Sequence, residues 1–535
     1  MNRKREKSLN GFSKYCKTPE EVIFGVKNHI SKTDKFAFLC GFFMCLIINL
    51  FVYTNTCFVH DSIRIFDSST GLNNGRLLVG PLMLLTNRVQ LPWVIGLISC
   101  VIMGFITVYF SKIFYIKKRL NIILLAGLII TSDTIVVSHA YFGSLYLFLL
   151  SLLLVAMAVY YSDIKKYGYI ISVVLMCLSL FIYQGFLATA IGLFIFKLIH
   201  YLLDNNNSKL KDNFIHIVRY ASIVIISSVL YYVIWQVVLK LAKQGIVDYY
   251  AYRVFNDPTS SSGIFQRISE SLMLSVFQLL GVASGFYALC VPIIILVALA
   301  LCLLIIKKKS RSKQLLMALY IVTYIFSINA VYIISGTVTY ALTVFSVTLP
   351  LLVVLYFSEN YEMKRLPSQR MLFAWLVPVL CVVLIFGQTV NANSLYLKMK
   401  LNYDNAWSYS TRLMDRLEQT EGFDENTEIV IIAKGYTVTE YNQNQDILKR
   451  ASYPFKSNIE VLYPLSNNSI TYGETLEWFL TQEMDMDLNI EMNPPEYDNN
   501  EEIEKMGFFP KTDSVKWIDG KLVVKISERE LITNK

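Results

Sequence analysis

Charge is what this chain has least of. Only 17% of its 535 residues are charged, against about 25% in soluble domains. From Phe36 to Val59 there is no formal charge at all. A helix of roughly 20 apolar residues spans a hydrocarbon core of about 30 Å, so a soluble globular class is excluded. This first run starts too far from Met1, and is too long, for a cleaved signal peptide, and it reads as an uncleaved first span. Metal-ligand spacing is also missing: no pair among the nine cysteines has it, and none of the nine falls after residue 390. Cysteine packs well as a small hydrophobe, and that is the role read here. A phosphate-cradling glycine loop is absent from the basic loops, which argues against a nucleotide motor. No soluble nucleotide-sugar transferase domain and no internal repeat can be seen.

What is present is 54% hydrophobic residues and a mean hydropathy of +0.46. The net charge of +9 is unevenly spread. Residues 391–535 hold 25 acidic and 15 basic residues, a balance of −10, so the first 390 residues carry +19. That positive charge sits in short loops between apolar runs, where topology explains it and nucleic acid is not needed.

Lys and Arg mark cytoplasmic loops, which orients the chain. The tail 1–35, with Arg3, Lys4, Arg5, Lys7, Lys14 and Lys17, is expected inside. Spans follow near 36–57, 92–113, 120–138 and 144–162. The run from Tyr167 to Leu203 is about 36 residues, roughly 54 Å as one helix, too long for one crossing. It predicts a hairpin turning at Tyr183–Gln184–Gly185. A span near 216–238, a long loop near 239–270, and a re-entrant or interfacial helix come next, with a span near 289–306 that ends on Lys307, Lys308, Lys309, Arg311 and Lys313. Spans near 314–334, 338–357 and 371–390 complete a count of about eleven. The expectation is an α-helical polytopic membrane protein of the plasma or inner membrane, with the membrane domain at 36–390. Residues 391–535 are read as a small extracytoplasmic α/β domain, in which "EIVII" is a buried strand and Asp519–Gly520 turns a hairpin.

Polar residues at the outer face are the candidates for chemistry, because burying them in hydrocarbon is expensive. The loop after the first span, "HDSIRIFDSSTGLNNGRLL", supplies His60, Asp61, Arg64, Asp67 and Arg76. A carboxylate there suits a general base on a sugar hydroxyl, and arginines suit a phosphate. A solvated loop with its charges facing water is the alternative reading. Asp133, inside the third span, is an intramembrane acid and a functional candidate by default; contact with interfacial water, His139 and Tyr141 is the other reading. Tyr183, Gln184, Tyr249, Tyr250, Tyr252 and Arg253 could stack on sugar rings or simply form an aromatic belt.

Taken together, four motifs give the chain a resemblance to the glucosyl transferase II family, the multi-span enzymes of serotype conversion. They are Asp61, Arg64, Gly75 and Arg76 after the first span; "IYQGFL" from Ile182 to Leu187; "YDNAWSYSTRLMDRL" with Asp404 and Arg412; and the tail "MGFFPKTDSVKWIDGKLVVKI" from Met506 to Ile526. Members often pair two acids in the first loop, whereas His60 precedes Asp61 here. They often place an arginine in the turn near 334–338, where this chain offers Tyr340.

The resemblance implies a C-type glycosyltransferase architecture. Its donor would be a polyprenyl-phosphate-linked glucose or related hexose, and its acceptor a surface polysaccharide on the outer face. Asp61 would be the base, Arg64 and Arg76 the phosphate contacts, and His60, Tyr183, Gln184, Tyr252, Arg253 and Asp404 substrate contacts. No cofactor and no metal is called for where arginines carry the charge, although an acidic loop is compatible with a divalent ion. A donor synthase and a flippase would act in the same pathway. The rival readings are a flippase of lipid-linked sugar and a polysaccharide polymerase or ligase.

Overall fold

The computed structural model describes residues 30–57, 71–164, 166–204, 210–245, 264–280, 289–307, 309–335, 341–360, 367–433 and 473–526. The apolar runs become helices: α1 (Lys32–Ile48), α2 (Leu50–Thr54), α3 (Val79–Met83), α4 (Pro92–Ile113), α5 (Arg119–Ile130), α6 (Asp133–Ser138) and α7 (Leu145–Tyr161). They continue as α8 (Gly168–Ile182), α9 (Leu187–Asp204), α10 (Leu210–Leu241), α11 (Ile264–Leu280), α12 (Cys290–Ile306), α13 (Arg311–Ile328), α14 (Ala330–Ser335), α15 (Leu349–Asn360) and α16 (Pro367–Glu418). Five helical stretches among the described residues are long and apolar enough to cross a membrane: 92–113, 133–161, 184–204, 211–241 and 374–418.

Small residues set the closest approaches. α1 packs along α4, where Gly104 lies under the Phe38 ring and Gly96 under Tyr53, so any added Cβ would enter those rings. α4 packs on α7, α7 on α8, and α8 on α10; α5, α12 and α15 close the bundle around α16. The basic helix ends gather at one end. There Lys112 pairs with Asp34 at 3.1 Å, the Lys118 N–H donates to Glu359 at 3.0 Å, and Lys309 Nζ donates to the Leu203 carbonyl at 2.8 Å. Lys197, buried on α9, is ion-paired with Asp163 and donates to the Val159 carbonyl at 2.9 Å.

Three apolar runs are interrupted, two of them expected as continuous spans. The third breaks between α5 and α6, because Thr131 Oγ1 and Ser132 Oγ donate to the Gly127 and Ile129 carbonyls and Ser132 is extended. The run from Tyr167 to Leu203 breaks at Tyr183, as its length requires. α8 packs chiefly on α7 and α10, and α9 chiefly on α13, rather than on each other. The third interruption lies between α14 and α15, where residues 341–343 and 345–348 are single 3₁₀ turns.

α16 runs 52 residues, about 78 Å, straight across the boundary expected at 390. Its far end, through Leu413 and Leu417, covers one face of a four-stranded sheet of order β2-β1-β4-β3. The strands are β1 (Glu428–Ile432), β2 (Asn489–Met492), β3 (Val515–Ile518) and β4 (Lys521–Lys525). β1 pairs in parallel with β2 and β4 and is buried on both faces, as its unbroken apolar sequence demands. β3 and β4 form the hairpin at Asp519 and Gly520, both at positive φ.

A polar contact joins α16 to the segment before β2: Tyr403 Oη donates to Glu483 Oε2 at 2.8 Å. Burial pushes the Glu483 carboxyl up, and the Tyr403 hydroxyl pulls it part of the way back. A raised acid stabilises the fold fully below its unfolded pKa and loses that contribution as pH rises through the folded value. Thermal unfolding of wild type minus Glu483→Gln, followed over about pH 4–7, should therefore show a stability difference that falls with rising pH. A difference that does not change with pH would contradict this.

Candidate functional site

The end of the bundle away from the basic cluster holds the candidate site. α8 starts near Asp163 at the basic end and delivers Tyr183 to the opposite one. There Tyr183 is extended, and its backbone N–H still donates to Ser179 at 2.8 Å. Its ring packs edge-on against Phe148 and Phe186. The Arg76 guanidinium carbon lies 5.2 Å from the centroid of that ring. No carboxylate or carbonyl among the described residues takes the Arg76 charge, and its Nε is buried without a hydrogen-bond partner. Asn73 Oδ1 and Asn74 Oδ1 are also buried without partners. A guanidinium held over an aromatic face, with no anionic partner among the described residues, is ready for a bidentate oxyanion.

The loop that carries Arg76 is pinned from three sides. Gln184 Nε2 donates to the Asn74 carbonyl at 3.0 Å and to Tyr231 Oη at 2.7 Å. Trp235 Nε1 donates to the Leu72 carbonyl at 2.9 Å, and the Leu78 N–H to the Phe181 carbonyl at 3.1 Å. Gly75, at φ 74°, has its bare α-carbon against Tyr231 Oη, so a side chain there is both strained and blocked.

Among the residues read from sequence, the structure thus brings Arg76, Tyr183 and Gln184 together. The Gln184 amide nitrogen is committed to the protein, which makes it a brace of the loop. Asp404, half exposed on α16, makes its ion pair with Lys400 one turn away rather than with any of these three. His60, Asp61, Arg64, Tyr252 and Arg253 lie outside the described residues. Sequence reasoning missed Tyr231 and Trp235. They stand one turn apart on α10, an aromatic repeat that reads locally as a membrane belt.

Gln184→Ala removes both donations, and an unsatisfied buried carbonyl costs about 1–3 kcal/mol. Hydrogen exchange at residues 71–78 is expected to accelerate, and transfer activity to fall about ten-fold as Arg76 loses its register. Unchanged exchange in that segment would rule out the brace.

Asp133 opens α6 at the interruption after α5. α6 packs against residues 341–343, which also touch the Gln184–Phe186 turn, so two helix interruptions meet on the third. Irregular backbone at membrane depth is tolerated only where protein buries it or a wet cavity borders it. Among the described residues no group of three or more His, Cys, Asp or Glu is arranged to hold a metal.

No curated protein and no solved structure matches the chain. One family model does, that of glucosyl transferase GtrII, from residue 50 to residue 357. The match runs from α2 to the last turn of α15, more than half of the chain, and takes in the Arg76 loop, its braces and all three interruptions. The chain belongs to the glucosyl transferase GtrII family.

Proposed function

We propose that this protein transfers a glucosyl or related hexosyl residue from a polyprenyl-phosphate-linked donor to a surface polysaccharide at the outer face of the plasma or inner membrane. The observation that carries this reading is the Arg76 guanidinium, over the Tyr183 ring and without an anionic partner among the described residues. Its place at the end of the bundle opposite the basic helix ends supports an outer-face site with the N-terminus inside. The acidic C-terminal α/β unit, carried outward by α16, belongs on that same outer side.

In this proposal the acceptor hydroxyl oxygen attacks the anomeric carbon, and the bond from that carbon to the donor phosphate oxygen breaks. Asp61 takes the hydroxyl proton, and polyprenyl phosphate leaves with its added charge held by Arg64 and Arg76. Tyr183 supports Arg76 from below, and Gln184 braces its loop. His60, Tyr252, Arg253 and Asp404 are assigned to substrate contact. The arginines carry the leaving-group charge, so the step is written without a cofactor. A donor synthase and a flippase must supply the lipid-linked hexose from the inner leaflet.

The test compares surface polysaccharide from cells with and without the gene, by sugar composition and linkage. A side-branch hexose present only with the gene is the expected result. A change in chain length alone would mean a polymerase, and donor accumulating on the inner leaflet would mean a flippase; either outcome overturns the proposal.

A further inference from the structure

From Leu124 to Ala140 every residue is buried except Asp133. The five other residues of α6 are buried, so Asp133 alone keeps accessible surface in that stretch. Its carboxylate makes no hydrogen bond or ion pair among the described residues. Other acids of the bundle behave differently. Asp34 holds Lys112, Asp163 holds Lys197 and accepts from Tyr220 at 2.8 Å, and Glu359 accepts from Asn121 at 2.8 Å. A carboxylate at membrane depth that is left unpaired is expensive to keep, so its retention calls for hydrogen-bond donors from outside the protein.

We propose that Asp133 is a sugar-binding residue, its carboxylate accepting hydrogen bonds from hydroxyls of the donor hexose. This rests on the hexosyl-transfer reading above. Three observations converge on it: the unpartnered carboxylate, its partial exposure within a buried stretch, and the packing of its helix on residues 341–343, which in turn touch the Gln184–Phe186 turn. α6 touches residues 341–343 and 345–348, and the Gln184–Phe186 turn below the Arg76 loop touches 341–343 as well. Interrupted helices meeting inside a bundle are a recurrent way to line a polar substrate site. The chemistry favours a polyol over a cation. A hexose offers neighbouring O–H donors without charge, whereas Asp133 belongs to no group of three or more metal-ligating side chains among the described residues. In this arrangement Arg76 reads the phosphate and Asp133 reads the sugar.

The experiment uses the full-length protein in lipid nanodiscs with two probes, farnesyl phosphate and farnesyl phosphate glucose. Asp133→Asn and Asp133→Ala should weaken the glucosylated probe about ten- to hundred-fold, the range for hydrogen bonds to a charged group, and leave farnesyl phosphate unchanged. Arg76→Ala should weaken both. Asp133→Asn is isosteric and keeps the test valid should the alanine variant fold poorly. Equal losses for both probes, or none for either, overturn the inference alone. Calcium or magnesium binding that disappears in Asp133→Asn also overturns it, in favour of a cation. A wild-type protein that binds neither probe overturns the lipid-phosphate donor and the sugar assignment together.

Discussion

Arg76→Ala should lower hexosyl transfer by about 10²–10³-fold, the usual cost of removing one preorganised donor from a developing anion. Cleavage of the sugar–phosphate bond adds negative charge to the leaving phosphate, so a contact with that oxygen strengthens as the reaction proceeds. Such a contact acts on kcat as well as on binding. The Tyr183 ring beneath the guanidinium carbon helps hold Arg76 in place before the reaction begins. Arg76→Lys should recover little, because an ammonium is a point charge and neither stacks nor offers a fork. Tyr183→Phe keeps the aromatic face and should stay near the wild-type rate, whereas Tyr183→Ala should follow Arg76→Ala part of the way. Hexose incorporation by membranes of each variant is the measurement. A wild-type rate in Arg76→Ala would remove this arginine from the reaction.

The parts of this site that were legible in sequence have a local cause. The break at Tyr183 followed from arithmetic, since about 36 apolar residues exceed one crossing. The hairpin at Asp519–Gly520 followed from the backbone preferences of those two residues. The clustering of basic helix ends followed from charge alone. By contrast, the break at Thr131–Ser132 was hidden, because "LLAGLIITSDTIVV" reads as one apolar run. There the hydroxyls compete with the helix from within, and Gln388, more than 250 residues away, accepts from Thr131 Oγ1 at 2.9 Å. The brace on Arg76 was equally hidden. It depends on Tyr231 and Trp235 arriving from α10, and local periodicity records only that they face one way. Contacts of that reach are properties of packing, so a residue such as Asp133 could be read as intramembrane but not as unpaired.

Asp61→Asn should have the largest effect of any single substitution, about 10²–10⁴-fold, the range for losing a positioned general base. A sugar hydroxyl is a weak nucleophile until its proton has somewhere to go, and the amide of asparagine cannot accept a full proton. Asp61→Glu keeps the base and moves it by one methylene, so it should retain more activity than Asp61→Asn. The pH profile separates a base from a binding residue. For a base, the rate falls as pH drops through the range where Asp61 protonates, and Asp61→Asn should abolish that limb along with most of the rate. Asp133→Asn should instead raise KM for the donor while leaving kcat at saturation much closer to wild type. A binding residue acts before the proton moves, and a base acts as it moves. Should Asp61→Asn keep both the rate and the acidic limb, the proton must leave by another group, and the unpaired Asp133 carboxylate would be the first to test.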